Sequence, residues 1–148
     1  TLLASSAASD VYKRQIFDSY MIDEKDLKEG QPRLLTVDNE VYVPVNKVVK
    51  VMITANDVLH AWALPSFGVK RDAVPGRINE TWFKADRTGT FYGQCSELCG
   101  IKHAYMPITV NVVTEEEYSQ WLDKAKVEFA KEEINKNIKV AKQIKEIK

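Results

Sequence analysis

Val41, Val43 and Val45 alternate with Tyr42, Pro44 and Asn46, and Ile108, Val110 and Val112 alternate with Thr109, Asn111 and Val113. A two-residue hydrophobic period sends one set of side chains to a buried face and the other outward, which is the signature of a half-buried strand. Between these runs, Lys47–Ala55 (KVVKVMITA) and Asn79–Ala85 (NETWFKA) are further strand candidates, and Thr90–Gly93 leads into Cys95. Turn signals separate them at Asp38-Asn39, Asn56-Asp57, Pro75-Gly76 and Arg87-Thr88-Gly89. Short strands at this spacing from Arg33 to Val113 predict an all-β sandwich or barrel. Pro44 cannot donate to a sheet ladder, so its strand is expected at an edge or a bulge.

The period changes at Thr114. Thr114-Glu115-Glu116-Glu117 reads as a capping box, with Thr114 as N-cap and Glu117 at N3. Tyr118, Leu122, Ala125 and Phe129 follow at helical spacing, and Ile134, Ile138, Ala141 and Ile147 continue it with one phase slip. The expected organisation is a leader over residues 1–15, disordered or non-native, a β domain over 16–122, and a Lys-rich amphipathic helical tail over 123–148.

With 148 residues, 45% of them hydrophobic, the chain can bury a core without disulfides. Formal net charge is zero, which excludes a global basic field for nucleic acid. The zero conceals a polarity. Residues 16–122 carry 15 acidic and 11 basic side chains, and residues 123–148 carry 5 and 8. No uncharged apolar run approaches the roughly 18–20 residues of a membrane-spanning helix.

The chemistry concentrates in Cys95-Ser96-Glu97-Leu98-Cys99-Gly100-Ile101-Lys102-His103-Ala104-Tyr105-Met106, between two strand candidates. Thiolate and thioether are soft donors, and imidazole suits copper, zinc and iron. Zinc gains little from a thioether, so thiolate, imidazole and thioether together point to copper. A Cys95–Cys99 disulfide is the competing reading, but it leaves His103 and Met106 unexplained. His60, the only other histidine, follows the Asn56-Asp57 turn, and a sandwich can bring its loop beside the Cys95–Met106 loop.

Three stretches share one pattern: Asp57-Val58-Leu59-His60-Ala61-Trp62-Ala63-Leu64-Pro65-Ser66, Asp72-Ala73-Val74-Pro75-Gly76-Arg77, and Phe91-Tyr92-Gly93-Gln94-Cys95-Ser96-Glu97-Leu98-Cys99-Gly100. With Phe17-Asp18-Ser19-Tyr20-Met21, they make residues 16–122 resemble the copper A domain of cytochrome c oxidase subunit II. The resemblance implies a cupredoxin-like Greek-key β-sandwich and a pair of copper ions. Cys95 and Cys99 would bridge both ions. His60 and His103 would each bind one. Met106 would be a weak ligand of one ion, and the Glu97 carbonyl of the other. The Glu97 side chain would face a magnesium or manganese site shared with subunit I.

The implied function is electron transfer within an oxygen-reducing terminal oxidase, from cytochrome c to the haem of subunit I. The implied location is the bacterial inner membrane facing the periplasm, or the mitochondrial inner membrane facing the intermembrane space. Family members begin with a two-helix membrane anchor and an aromatic segment carrying the tryptophan where electrons arrive. The sequence is therefore expected to be a soluble, truncated part. Three other readings fit less well. A copper-free quinol-oxidase relative would not keep the full Cys, His and Met set. A nitrous oxide reductase needs a second, histidine-rich cluster. A mononuclear blue-copper carrier needs one cysteine.

Overall fold

The computed structural model describes residues 3–4 and 17–129. Its strands are β1 (Leu3–Ala4), β2 (Val41–Pro44), β3 (Val48–Ile53), β4 (His60–Leu64), β5 (Val69–Ala73), β6 (Asn79–Lys84), β7 (Gly89–Cys95) and β8 (Pro107–Val113). They form two sheets, ordered β1-β3-β6 and β2-β8-β7-β4-β5. This is an all-β, cupredoxin-like sandwich, followed by one helix, α1, over residues 115–129. The leader lies outside the described residues except for Leu3 and Ala4, which pair with Met52 and Val51. The tail beyond residue 129 also lies outside them.

The alternation read from the sequence is the register of the core. Val49, Val51 and Ile53 of β3 and Phe83 of β6 meet Trp62, Leu64, Ile108, Val110 and Val112 of the larger sheet. Leu64 is fully buried. β2 is an edge strand, as Pro44 requires, and it pairs parallel with β8. On the other face of β8, buried Thr109 donates its hydroxyl to the Leu35 carbonyl at 2.9 Å and anchors the segment before β2.

The capping box forms as read. The Glu117 amide donates to Thr114 Oγ1 at 3.3 Å, and the Thr114 amide donates to Glu117 Oε2 at 2.9 Å. α1 then packs back on the domain. Trp121 stacks on Tyr42 at 5.2 Å, Phe129 stacks on Phe17 at 4.8 Å, and Ala125 and Phe129 are buried.

Two strands carry no alternation signal. In β4, Ala61, Trp62, Ala63 and Leu64 are all buried, so both faces are apolar. The sequence therefore suggests a loop around His60, whereas His60 is the first residue of β4. In β5, exposed Lys70, Arg71 and Asp72 stand between buried Val69 and Ala73. That charged centre hides an edge strand.

Candidate metal centre

The site stands where three strand ends meet. β4 begins at His60, β7 ends at Cys95 and β8 begins just after Met106. Trp62 pairs with Cys95 across β4 and β7, and Gln94 pairs with Pro107 across β7 and β8. Two backbone bonds pin the loop at its base: the Cys95 amide donates to the Met106 carbonyl, and the Ser96 amide to the Ala61 carbonyl, both at 3.0 Å. A short 3-10 turn, His103–Tyr105, then folds the histidine back, with the His103 amide bonded to the Gly100 carbonyl at 3.1 Å.

These constraints converge all six residues singled out in the sequence. The Cys95 and Cys99 sulfurs are free thiols 3.9 Å apart. His60 Nδ1 lies 3.9 Å from Cys95 Sγ, and the Glu97 carbonyl oxygen lies 3.3 Å from the same sulfur. His103 Nδ1 lies 3.5 Å and Met106 Sδ 3.6 Å from Cys99 Sγ. The set is thus two halves, each with one thiol, one imidazole and one weaker donor. Ligand atoms of His60, Cys95 and Cys99 all fall within 4.8 Å of one another. A metal–thiolate bond is about 2.3 Å, so one ion can touch both sulfurs.

The electrostatics favour a thiolate at Cys95 and a thiol at Cys99. Burial is the largest influence on Cys95 and pushes it up. Backbone groups at Ala61 and Glu97 and the His60 and His103 imidazoles outweigh it and bring the thiol down to about 7. Burial and the neighbouring Cys95 sulfur push Cys99 up. On the outer side, Asp57 Oδ1 sits 2.8 Å from His60 Nε2. Burial opposes the imidazolium, but Asp57 and Cys95 raise His60 overall. The hydrogen bond to His60 is the main influence lowering Asp57.

Trp62 forms a buried wall behind Cys95, with its indole Nε1 unpartnered among the described residues. Around the loop, Leu98 and Ile101 are 81% and 100% exposed, and Val58, Leu59 and Tyr105 are exposed beside them. The sequence gives no sign of this apolar rim, because an exposed Leu or Ile reads in isolation as a core residue.

A two-sheet β-sandwich with a compact Cys, His and Met cluster in its end loops defines a cupredoxin-like domain with a site suited to a soft metal. The family profile of the cytochrome c oxidase subunit II periplasmic domain matches residues 5–113, and the chain belongs to that family. It is 58% identical over 114 residues to cytochrome c oxidase subunit 2 of Phytophthora megasperma, covering 77% of this chain and 42% of that protein. It is 54% identical over 111 residues to the probable subunit 2 of Rickettsia prowazekii, covering 75% of this chain and 36% of that protein. The chain therefore spans about two fifths of these relatives.

Among solved structures, it matches the periplasmic domain of subunit II (CoxB) of Bradyrhizobium japonicum. The TM-score is 0.70 at 60% identity, covering 76% of this chain and 78% of that one. A second match, with TM-score 0.63 and 59% identity, is subunit II caught in a mixed disulfide with the thioredoxin-like protein TlpA; it covers 76% of each chain. Among the described residues, no helix is long and apolar enough to cross a membrane.

Proposed function

We propose that the chain is the electron-transfer module of a haem-copper terminal oxidase, holding a copper A pair. The observation that carries this reading is the two-half donor set around sulfurs 3.9 Å apart. Bound there, a copper pair supplies a one-electron site whose charge is shared between two ions and two sulfurs. Cys95, Cys99, His60, His103, Met106 and the Glu97 carbonyl would hold the pair, the two thiolates and two imidazoles as the strong donors and the thioether and carbonyl as the weak ones. With both halves closed by protein donors, no position is left for a substrate, which suits electron transfer rather than bond chemistry.

The remaining assignments follow from the family. Electrons arrive from cytochrome c and leave for the haem of subunit I, and oxygen reduction belongs to the whole complex. The Glu97 carboxylate faces a magnesium or manganese ion shared with subunit I. The domain works at the outer face of the bacterial inner membrane or of the mitochondrial inner membrane. The apolar rim of Val58, Leu59, Leu98 and Ile101 gives a docking partner a dry contact next to the ligands.

Copper reconstitution tests the reading. The expected result is two coppers per chain and an electron-paramagnetic signal split by two equivalent nuclei. One copper with a four-line hyperfine pattern would refute the binuclear assignment.

The same geometry supports a preparatory role for the thiols. An oxidised Cys95–Cys99 pair cannot bind copper as two thiolates. A thioredoxin-like dithiol would reduce it through a mixed disulfide, becoming oxidised in turn. The subunit II structure joined to TlpA in such a disulfide favours this reading.

A further inference from the structure

The two sheets differ on their outer faces. Val41 and Val43 of β2 turn to the core, so Tyr42 between them faces outward, where it carries Trp121 of α1. The larger sheet is therefore partly covered by the helix. Among the described residues the smaller sheet has no such cover, since β1 lies beside β3 rather than over it. Val49, Val51 and Ile53 of β3 and Phe83 of β6 are in the core. The alternate residues, Val48, Lys50 and Met52 on β3 and Glu80, Trp82 and Lys84 on β6, consequently point outward. The antiparallel register sets them as three rungs: Val48 opposite Lys84, Lys50 opposite Trp82, and Met52 opposite Glu80.

This is not the polar face that a solvated sheet presents. Trp82 is 67% exposed and Val48 64%. Such large apolar side chains, grouped on one face, mark an interaction surface. The charges are arranged with equal regularity. Each rung sets one apolar side chain beside one charged side chain, and the apolar member changes strand from rung to rung. Lys50 pairs with Glu80 at 2.9 Å, which quiets the centre of the face. A face patterned in this way is complementary to itself, because exchanging the two strands lays apolar positions on charged ones in every rung.

We propose that this face docks on the same face of a second copy of the chain, about a two-fold axis parallel to the strands. That rotation exchanges the β3 and β6 positions within each rung. Each Trp82 then lies on Lys50 of the second copy, which gives two cation–π contacts at the centre. Val48 lies on the aliphatic stem of Lys84 and Met52 on that of Glu80, and no like charges face each other. The alternative two-fold, running across the strands, would set Lys50 against Lys50. With the axis along the strands, the metal ends of both copies point the same way and stay uncovered. Two strands about 20 Å long bury less than the roughly 800 Å² per copy of a standard interface, so the dimer is weak, with a Kd of about 0.1–1 mM. The association does not depend on what the metal centre holds.

The test is sedimentation of the full chain, kept reduced, from about 10 µM to about 1 mM, with amide spectra over the same range. The average mass should rise toward that of a dimer, and the amide shifts that follow concentration should cluster on β3 and β6. Trp82→Ala should weaken the dimer at least about tenfold, because it removes the central ring from both contacts. Lys50→Glu should weaken it by a similar factor, whereas Lys50→Arg should hold it within about twofold, since a guanidinium also sits well on an indole. Val48→Lys, which faces Lys84 of the second copy, should weaken it at least about threefold. Amide spectra unchanged away from β3 and β6 would show that each variant is folded. A monomer at about 1 mM, a dimer indifferent to Trp82→Ala or Lys50→Glu, or concentration-dependent shifts on another face would each overturn the proposal. A chain that stays monomeric but loses its β3 and β6 amide signals on phosphatidylglycerol vesicles would give the face to a lipid surface instead, and would overturn it equally.

Discussion

Asp57 Oδ1 lies 2.8 Å from His60 Nε2, and the opposite ring nitrogen, Nδ1, faces Cys95 Sγ at 3.9 Å. The carboxylate thus holds one nitrogen and turns the other toward the thiol. A histidine that ligates a metal commonly donates its second N–H to a carboxylate, which fixes the ring and raises its basicity. Asp57→Ala is therefore expected to lower copper affinity by about 10–100-fold while leaving the fold intact. Asp57→Asn keeps an oxygen acceptor and should fall between. Competitive metal titration of the three proteins, with far-ultraviolet dichroism as the fold control, measures this. Equal affinities would remove the orienting role.

Loss of individual donors should grade with their bond strength. Cys95→Ser or Cys99→Ser removes a bridging thiolate and should abolish the binuclear spectrum. Met106→Leu removes a weak donor; it should keep copper and raise the reduction potential, because the axial ligand tunes that potential. Glu97→Gln keeps the backbone carbonyl and should leave the spectrum nearly unchanged. Visible absorption and voltammetry on the reconstituted variants separate these outcomes, and an intact binuclear spectrum in Cys95→Ser would contradict the assignment.

At Gly93, inside β7, no side chain fits. A Cβ there would fall on the Ala63 carbonyl oxygen and approach Leu64 Cδ1 at 3.2 Å. Backbone cannot yield as a flexible side chain does, so Gly93→Ala should destabilise the fold by roughly 3 kcal/mol, the upper end for overpacking. Urea unfolding should show a lower midpoint with an unchanged slope. Because Gly93 lies two residues before Cys95, copper loading should weaken along with stability.

The capping box predicts a response to acid. The Thr114 amide, then its hydroxyl, hold the Glu117 carboxyl below the ordinary glutamate value of 4.5. A depressed value in the folded state means that the carboxylate stabilises the fold above the ordinary value, and that this contribution is lost as pH falls through the depressed one. Glu117 should therefore titrate below 4.5, and helicity over residues 115–129 should weaken on acidification within the same window. Thr114→Ala should return Glu117 toward the ordinary value. Carboxyl carbon shifts measured across pH check both, and an unshifted Glu117 in the parent protein would exclude the box.

Much of the molecule was legible because the relevant interactions are local. A two-residue period is imposed by the pleat itself, so Val41 to Val45 and Ile108 to Val112 announce their strands without reference to their partners. The capping box closes within four residues, and Thr114 and Glu117 need nothing else. Cys95, Cys99, His103 and Met106 share one loop, so their common chemistry was evident from spacing. The turn before His60 made it a candidate neighbour of that loop, and the resemblance gave it a ligand role and added the Glu97 carbonyl.

What escaped the sequence depends on residues distant in the chain. β4 is buried on both faces and β5 is charged at its centre, so neither shows an alternation, and only their neighbours in the sheet make them strands. His60 and Cys95 stand 35 residues apart and meet because β4 and β7 pair in one register. The parallel pairing of β2 with β8 and the packing of Phe129 on Phe17 likewise need the assembled sandwich. The sequence alone determined which residues prefer strand, helix cap or metal. The tertiary structure decided which of them meet, because register and sheet order follow from the summed burial of the whole core rather than from any single segment.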